Sequence, residues 1–113
     1  MKEITNRSAL FVTPKEPFKE WARLHNESPM EDLAQRLTEN HVYLVEWFLE
    51  EPIADILRPY YLEIFESELL SWNSYRNEWP QDRSLESFLE WFDVTLCDGL
   101  YDLETEKIRF ERL

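Results

Sequence analysis

The sequence predicts an α+β domain, a small sheet of three to four strands packed against several helices. Three observations carry this. Strand-length apolar runs rich in β-branched and aromatic residues occupy residues 8–13 and 41–48. Apolar stripes at helical spacing begin beside Pro17, Pro29, Pro52 and Ser84. Near residue 98 the β-favouring Val94 and Thr95 lead into Asp98-Gly99, a preferred two-residue turn between strands.

The elements follow in order. Residues 8–13 form a strand that Pro14 closes, because proline cannot extend the ladder. Pro17 opens a helix carrying Phe18, Trp21, Ala22 and Leu24. Ser28, Pro29 and Glu31 then spell a capped start for a helix to about Thr38, with Met30, Leu33, Ala34 and Leu37 inward. Val42-Tyr43-Leu44-Val45 is nearly continuous in hydrophobicity, as in a strand covered on both faces.

Pro52 opens one long helix to about Trp72, kinked near Pro59 where a backbone hydrogen bond is lost. Residues 73–83 read as an irregular connection, with Trp79 beside Pro80 as the exposed tryptophan. Ser84 caps a helix bearing Leu85, Phe88, Leu89 and Phe92. Residues 93–103 suit a helix extension, one strand or a hairpin. The hairpin pairs Leu96 with Tyr101 and Val94 with Leu103, with Gly99 in a left-handed conformation, and it is the preferred form. Ile108 and Phe110 alternate with charges in the pattern of a short edge strand.

At 113 residues the chain has the size of a single domain, residues 1–113, and five Trp, five Tyr and seven Phe give it a heavy core. Its net charge of −12 is unevenly placed. Residues 46–106 hold sixteen carboxylates against Arg58, Arg76 and Arg83, while the first forty residues hold six Lys/Arg and seven Asp/Glu. Such a surface repels nucleic acid and attracts cations or basic proteins. Cys97 is the one cysteine, so no intramolecular disulfide forms and a reducing compartment is expected. Residues 1–7 lack the apolar core of a secretory signal, and no apolar run is long enough to span a membrane. The expectation is a soluble cytoplasmic protein.

Two stretches carry a likeness. One is Arg7-Ser8-Ala9-Leu10, Val12, Pro14-Lys15, Pro17-Phe18 and Trp21; the other is Trp79-Pro80, Arg83, Phe88, Trp91-Phe92, Val94 and Asp102-Leu103. Together they resemble a small family of bacterial cytoplasmic proteins of about this length to which no activity is assigned. The resemblance implies a bacterial, cytoplasmic origin and carries no catalytic residue onto this chain.

The sequence equips no familiar catalytic or metal centre. Cys97, His25 and His41 are too widely spaced for a paired zinc motif, and one glycine excludes phosphate-cradling loops. Cys97 has no adjacent base and reads as a small buried hydrophobe. No cofactor is called for. Ligand or cation candidates are Asp93, Asp98 and Asp102 on the expected hairpin, and Glu46, which interrupts the apolar run and is either buried against Arg7 or Arg58 or marks the strand's end. Glu63, Glu66 and Glu68 have the spacing of a solvated helix face. Glu63 and Glu66, with Glu86 and Glu90 on the later helix, are the candidate contacts for a basic protein. Two functions from different classes follow. One is a non-catalytic acidic interaction protein using that helical face; the other is a small enzyme or ligand-binding domain with a cleft between sheet and helices.

Overall fold

The run closed by Pro14 becomes the axis of the fold. The computed structural model describes residues 1–27, 32–48 and 51–113. In chain order these form β1 (Lys2–Ile4), β2 (Arg7–Pro14), α1 (Glu16–His25), α2 (Leu33–Arg36), β3 (His41–Glu46), α3 (Ile53–Leu57) and α4 (Tyr61–Leu70). A 3₁₀ turn (Arg76–Glu78), α5 (Leu85–Trp91), β4 (Phe92–Cys97) and β5 (Leu100–Asp102) complete it. The α+β class is as the sequence predicts. The strands divide into an antiparallel sheet of order β3-β2-β4 and a separate ribbon of β1 with β5.

Alternation along β2 sorts the sheet into two faces. Leu10 and Val12 point inward and are fully buried, flanked by Tyr43 and His41 on β3 and by Leu96 and Val94 on β4. The helices cover this side, contributing Phe18, Trp21, Ala22, Ile56, Leu57, Ile64, Phe65, Leu69 and Phe88. Ser8, also inward and buried, accepts a hydrogen bond from the Phe48 N–H at 3.3 Å. Phe65 is the hub of the rings: its centroid lies 5.7 Å from each of Phe88, Trp91 and Phe92. Phe18 reaches the same group from α1, 4.8 Å from Phe92.

Local chemistry explains several boundaries. Pro17 sits in the first turn of α1. Ser84 caps α5 as expected, its Oγ accepting the Ser87 N–H at 3.2 Å. α5 passes directly into β4 at Phe92, whose extended backbone turns the chain while its ring stays 5.0 Å from Phe88. Lys15 reinforces that junction, its N–H donating to the Trp91 carbonyl at 2.8 Å and its Nζ to the Leu89 carbonyl at 3.0 Å.

The structure corrects several expectations. The long helix is two helices, α3 and α4, because Pro59 lacks an N–H and crowds the preceding turn enough to break the helix rather than bend it. β3 is an edge strand covered on one face; Val42 and Leu44 face outward and are exposed. The β4–β5 hairpin does not form. Gly99 has no positive φ, so the mirror-image turn is not made, and β5 pairs instead with β1, Ile4 opposite Leu100. Trp79 is buried: its Nε1–H donates to the Asn73 carbonyl at 2.8 Å, and the Arg76 guanidinium covers its ring at 4.8 Å. Leu24 and Ala34 are exposed, and residues 103–113 form no strand. The cap and first turn expected at Ser28, Pro29, Met30 and Glu31 lie outside the described residues.

Removing the hub ring tests this packing. Phe65→Ala is expected to cost about 3–5 kcal/mol, while Phe65→Leu, which keeps much of the volume, costs clearly less. Urea unfolding midpoints measure both, and equal small losses would show that the ring cluster does not hold the helices to the sheet.

Candidate functional site

The two helices that carry the candidate acids pack against each other. α4 and α5 meet through Phe65 and Tyr61 against Phe88, at 5.7 and 6.3 Å. Glu63, Glu86 and Glu90 are exposed; Glu66 is half-buried. The three arginines of this acidic stretch fall on two acids. Arg76 and Arg83 approach Glu66 at 3.7 and 3.8 Å, and Arg58 approaches Asp55 at 3.7 Å. Arg76 and Arg83 are held there by Trp79, their guanidinium carbons 4.8 and 5.8 Å from its ring centre. Among the described residues no ion pair reaches Glu63, Glu86 or Glu90.

The aspartate candidates do not converge. Asp93 lies near the start of β4 and Asp98 just past its end, so the strand separates them by roughly 16 Å at the usual rise. Both are exposed. Asp102 faces Lys2 across the β1–β5 ribbon at 3.8 Å, and its Oδ1 accepts the Glu104 N–H at 2.9 Å. Among the described residues no three His, Cys, Asp or Glu side chains gather as a metal site. Cys97 is half-buried on the sheet's outer face, its Sγ donating to the Gly99 carbonyl at 3.3 Å.

Glu46 is exposed as the last residue of β3, in register opposite Arg7, so it marks the strand's end and is not buried against an arginine. It borders a shallow cleft of about 220 Å³ with Trp47, Glu51, Asp55 and Tyr60. The Tyr60 hydroxyl accepts the Glu46 N–H at 3.3 Å, tying the strand end to the break between α3 and α4.

The most developed polar cluster is one that charge spacing misassigns. Glu68 is buried, not solvated. Its carboxylate meets the His41 Nδ1 at 2.9 Å through both oxygens and accepts the Tyr43 hydroxyl at 3.0 Å. His41 and Tyr43 alternate along β3 and so face α4 together. On α4, Glu68 occupies the buried arc with Ile64, Phe65 and Leu69, and an acid on that apolar arc is the sequence signal for the cluster. The adjoining void, lined by Phe18, Leu37, His41, Glu68 and Trp72 among others, is about 20 Å³, the size of one water. It has no room for a substrate, so the carboxylate serves as a polar clamp between strand and helix.

Burial and then the Glu68 charge hold the Tyr43 phenol well above its ordinary pKa. Elsewhere, hydrogen bonds from Ser74 and Ser84 lower the carboxyls of Glu27 and Asp82, and a hydrogen bond to Glu3 raises Tyr101. No protein-family model, curated protein or solved structure matches this chain.

The clamp makes a pH prediction. Below a pH of about 10 the phenol is protonated whether the chain is folded or not. Above it the unfolded chain ionises while the folded one keeps the proton, so stability falls as pH rises. Tyr43→Phe is expected to cost about 1–2 kcal/mol at neutral pH and to flatten that alkaline loss. Denaturation midpoints across neutral to alkaline pH test it; identical slopes in parent and variant would refute the assignment.

Proposed function

We propose that this chain is a non-catalytic binding protein that engages a basic protein partner through the carboxylate face of α4 and α5. The observation that carries this reading is the distribution of the arginines. Arg58, Arg76 and Arg83 lie nearest Asp55 and Glu66, and among the described residues no ion pair reaches the exposed Glu63, Glu86 and Glu90. An uncompensated carboxylate surface accelerates encounter with a cationic patch and disfavours nucleic acid, whose phosphates it repels. The proposed setting is the cytoplasm of a bacterium, where a lone Cys97 stays reduced. Among the described residues no helix is long and apolar enough to cross a membrane.

A second reading has its own observation. The cleft beside Glu46, Glu51 and Asp55 also presents the half-exposed Trp47 ring, a combination suited to a small organic cation.

Capture from lysate on the immobilised chain separates the two. Basic proteins are expected on the parent at low salt, to be lost at moderate salt, and to be lost from the Glu63→Gln/Glu86→Gln/Glu90→Gln variant. Association with a purified captured protein should slow by about tenfold or more in that variant. Capture that ignores both salt and the substitutions, or no capture of basic proteins, would overturn the proposal. Loss on Glu46→Gln/Asp55→Asn instead would move the site to the cleft.

A further inference from the structure

Two parts of this chain are unpartnered in complementary ways. The first is the open edge of β3. On the outer face of the sheet, Phe11, Val42 and Leu44 are 40%, 50% and 55% exposed, and Phe11 lies directly opposite Val42 in the β2–β3 register. The result is a continuous apolar strip ending at an edge whose backbone groups meet no further strand among the described residues. Edge strands are ordinarily blunted by lysine, proline, a bulge or an inward charge. β3 has no lysine or proline, and its register with β2 runs without a bulge. The other edge, β4, is different: the same face there carries Asp93, Thr95 and Cys97.

The second part is the segment after β5. Residues 103–113 are exposed throughout and adopt no helix or strand. Within them Ile108 and Phe110 are 63% and 85% exposed, at alternate positions as a strand would place them on one face. Lys107, Arg109 and Arg112 stand against Glu104, Glu106 and Glu111, so the segment is balanced in charge overall, with its basic residues gathered at positions 107–112. Arg109 is held by Glu106 within the segment.

We propose that this segment adds as a strand to the open edge of β3 in a second copy of the chain. The period of two matches on both sides. In a parallel alignment Val42 meets Ile108, Leu44 meets Phe110, and Arg112 falls level with Glu46. The pairing thus joins apolar residues on one face and sets a basic residue beside an acid at the end of β3. Across the aligned residues charge agrees as well: β3 ends in Glu46, and residues 107–112 carry Lys107, Arg109 and Arg112 against Glu111. In the single chain both the strip and the segment are exposed, and a second copy supplies the counterpart of each. Reciprocal exchange closes a two-fold dimer with two added strands, and no edge of that kind is left open.

The surface lies on β3 and residues 107–112, apart from Glu63, Glu86 and Glu90, so its failure and that of the proposed function are distinguishable. Sedimentation velocity and light scattering across micromolar to submillimolar concentration are expected to show a monomer–dimer equilibrium for the parent. Ile108→Asp/Phe110→Asp and, separately, Val42→Lys/Leu44→Lys should each be monomeric, with the thermal midpoint of the parent measured at a concentration low enough for it to be monomeric, since all four side chains are exposed in the single chain. Mixing the two variants should recover a heterodimer, because one intact segment then meets one intact edge. A parent that stays monomeric, or a dimer that survives either pair of substitutions, would overturn the proposal. So would a monomeric parent whose midpoint drops on Ile108→Asp/Phe110→Asp, which would place the segment on its own chain.

Discussion

The rest of the structure depends on the burial of a connected set of aromatic rings against one strand. Phe65 on α4, Phe88 and Trp91 on α5, Phe92 at the start of β4 and Phe18 on α1 form a single network, and Leu10 and Val12 of β2 lie in the same core. A domain of this length buries little more than three fifths of its unfolded surface, so large rings concentrated at one point carry a disproportionate share of the stabilisation. Each element that brings a ring to this cluster has its orientation set by doing so. That is why α5 passes into β4 without a loop: Phe88 and Phe92 both have to remain in the cluster while the backbone changes from helix to strand.

This constraint also distributes the charge. With the inward arcs of α4 and α5 committed to rings and aliphatics, Glu63, Glu86 and Glu90 are turned to solvent and Glu66 is half-buried. The arginines nearby are drawn to Trp79 and Glu66, so they do not neutralise that face. Glu68 departs from the rule, lying on the buried arc, and it survives there because His41 and Tyr43 arrive from β3 with the donors a desolvated carboxylate needs. The exposed acids of α4 and α5 and the buried Glu68 carboxylate are therefore two products of one packing arrangement.

Much of the fold was legible in the residues. β2 was readable because its β-branched run is bounded by Pro14, α1 and α5 because Pro17 and Ser84 start them, and β4 because Val94 and Thr95 resist helix. Other features were hidden for identifiable reasons. Glu68 looks like its neighbours Glu63 and Glu66 when judged by charge spacing alone, since its difference lies in what β3 brings to it. Val42 and Leu44 read as doubly covered, yet hydrophobicity along one strand does not say whether a second layer exists. Trp79 beside a proline in an irregular stretch reads as exposed, and its burial rests on Asn73, Arg76 and Arg83 folding around it. Of the candidate site, the exposed carboxylates of α4 and α5 were readable, but the dispersal of Asp93, Asp98 and Asp102 was not.

By itself the sequence determined the α+β class, the positions of most strands and helices, the acidity of residues 46–106 and the lack of familiar catalytic spacing. Those properties reside in residue type, period and local turn chemistry, which act over a few positions of the chain. Tertiary structure alone decided that β5 would pair with β1, that Pro59 would separate two helices, that the arginines would gather on Asp55 and Glu66, and that β3 would be left as an open edge. Each of these outcomes is a competition between partners far apart in the chain, and it is settled by which contacts the ring cluster brings within reach.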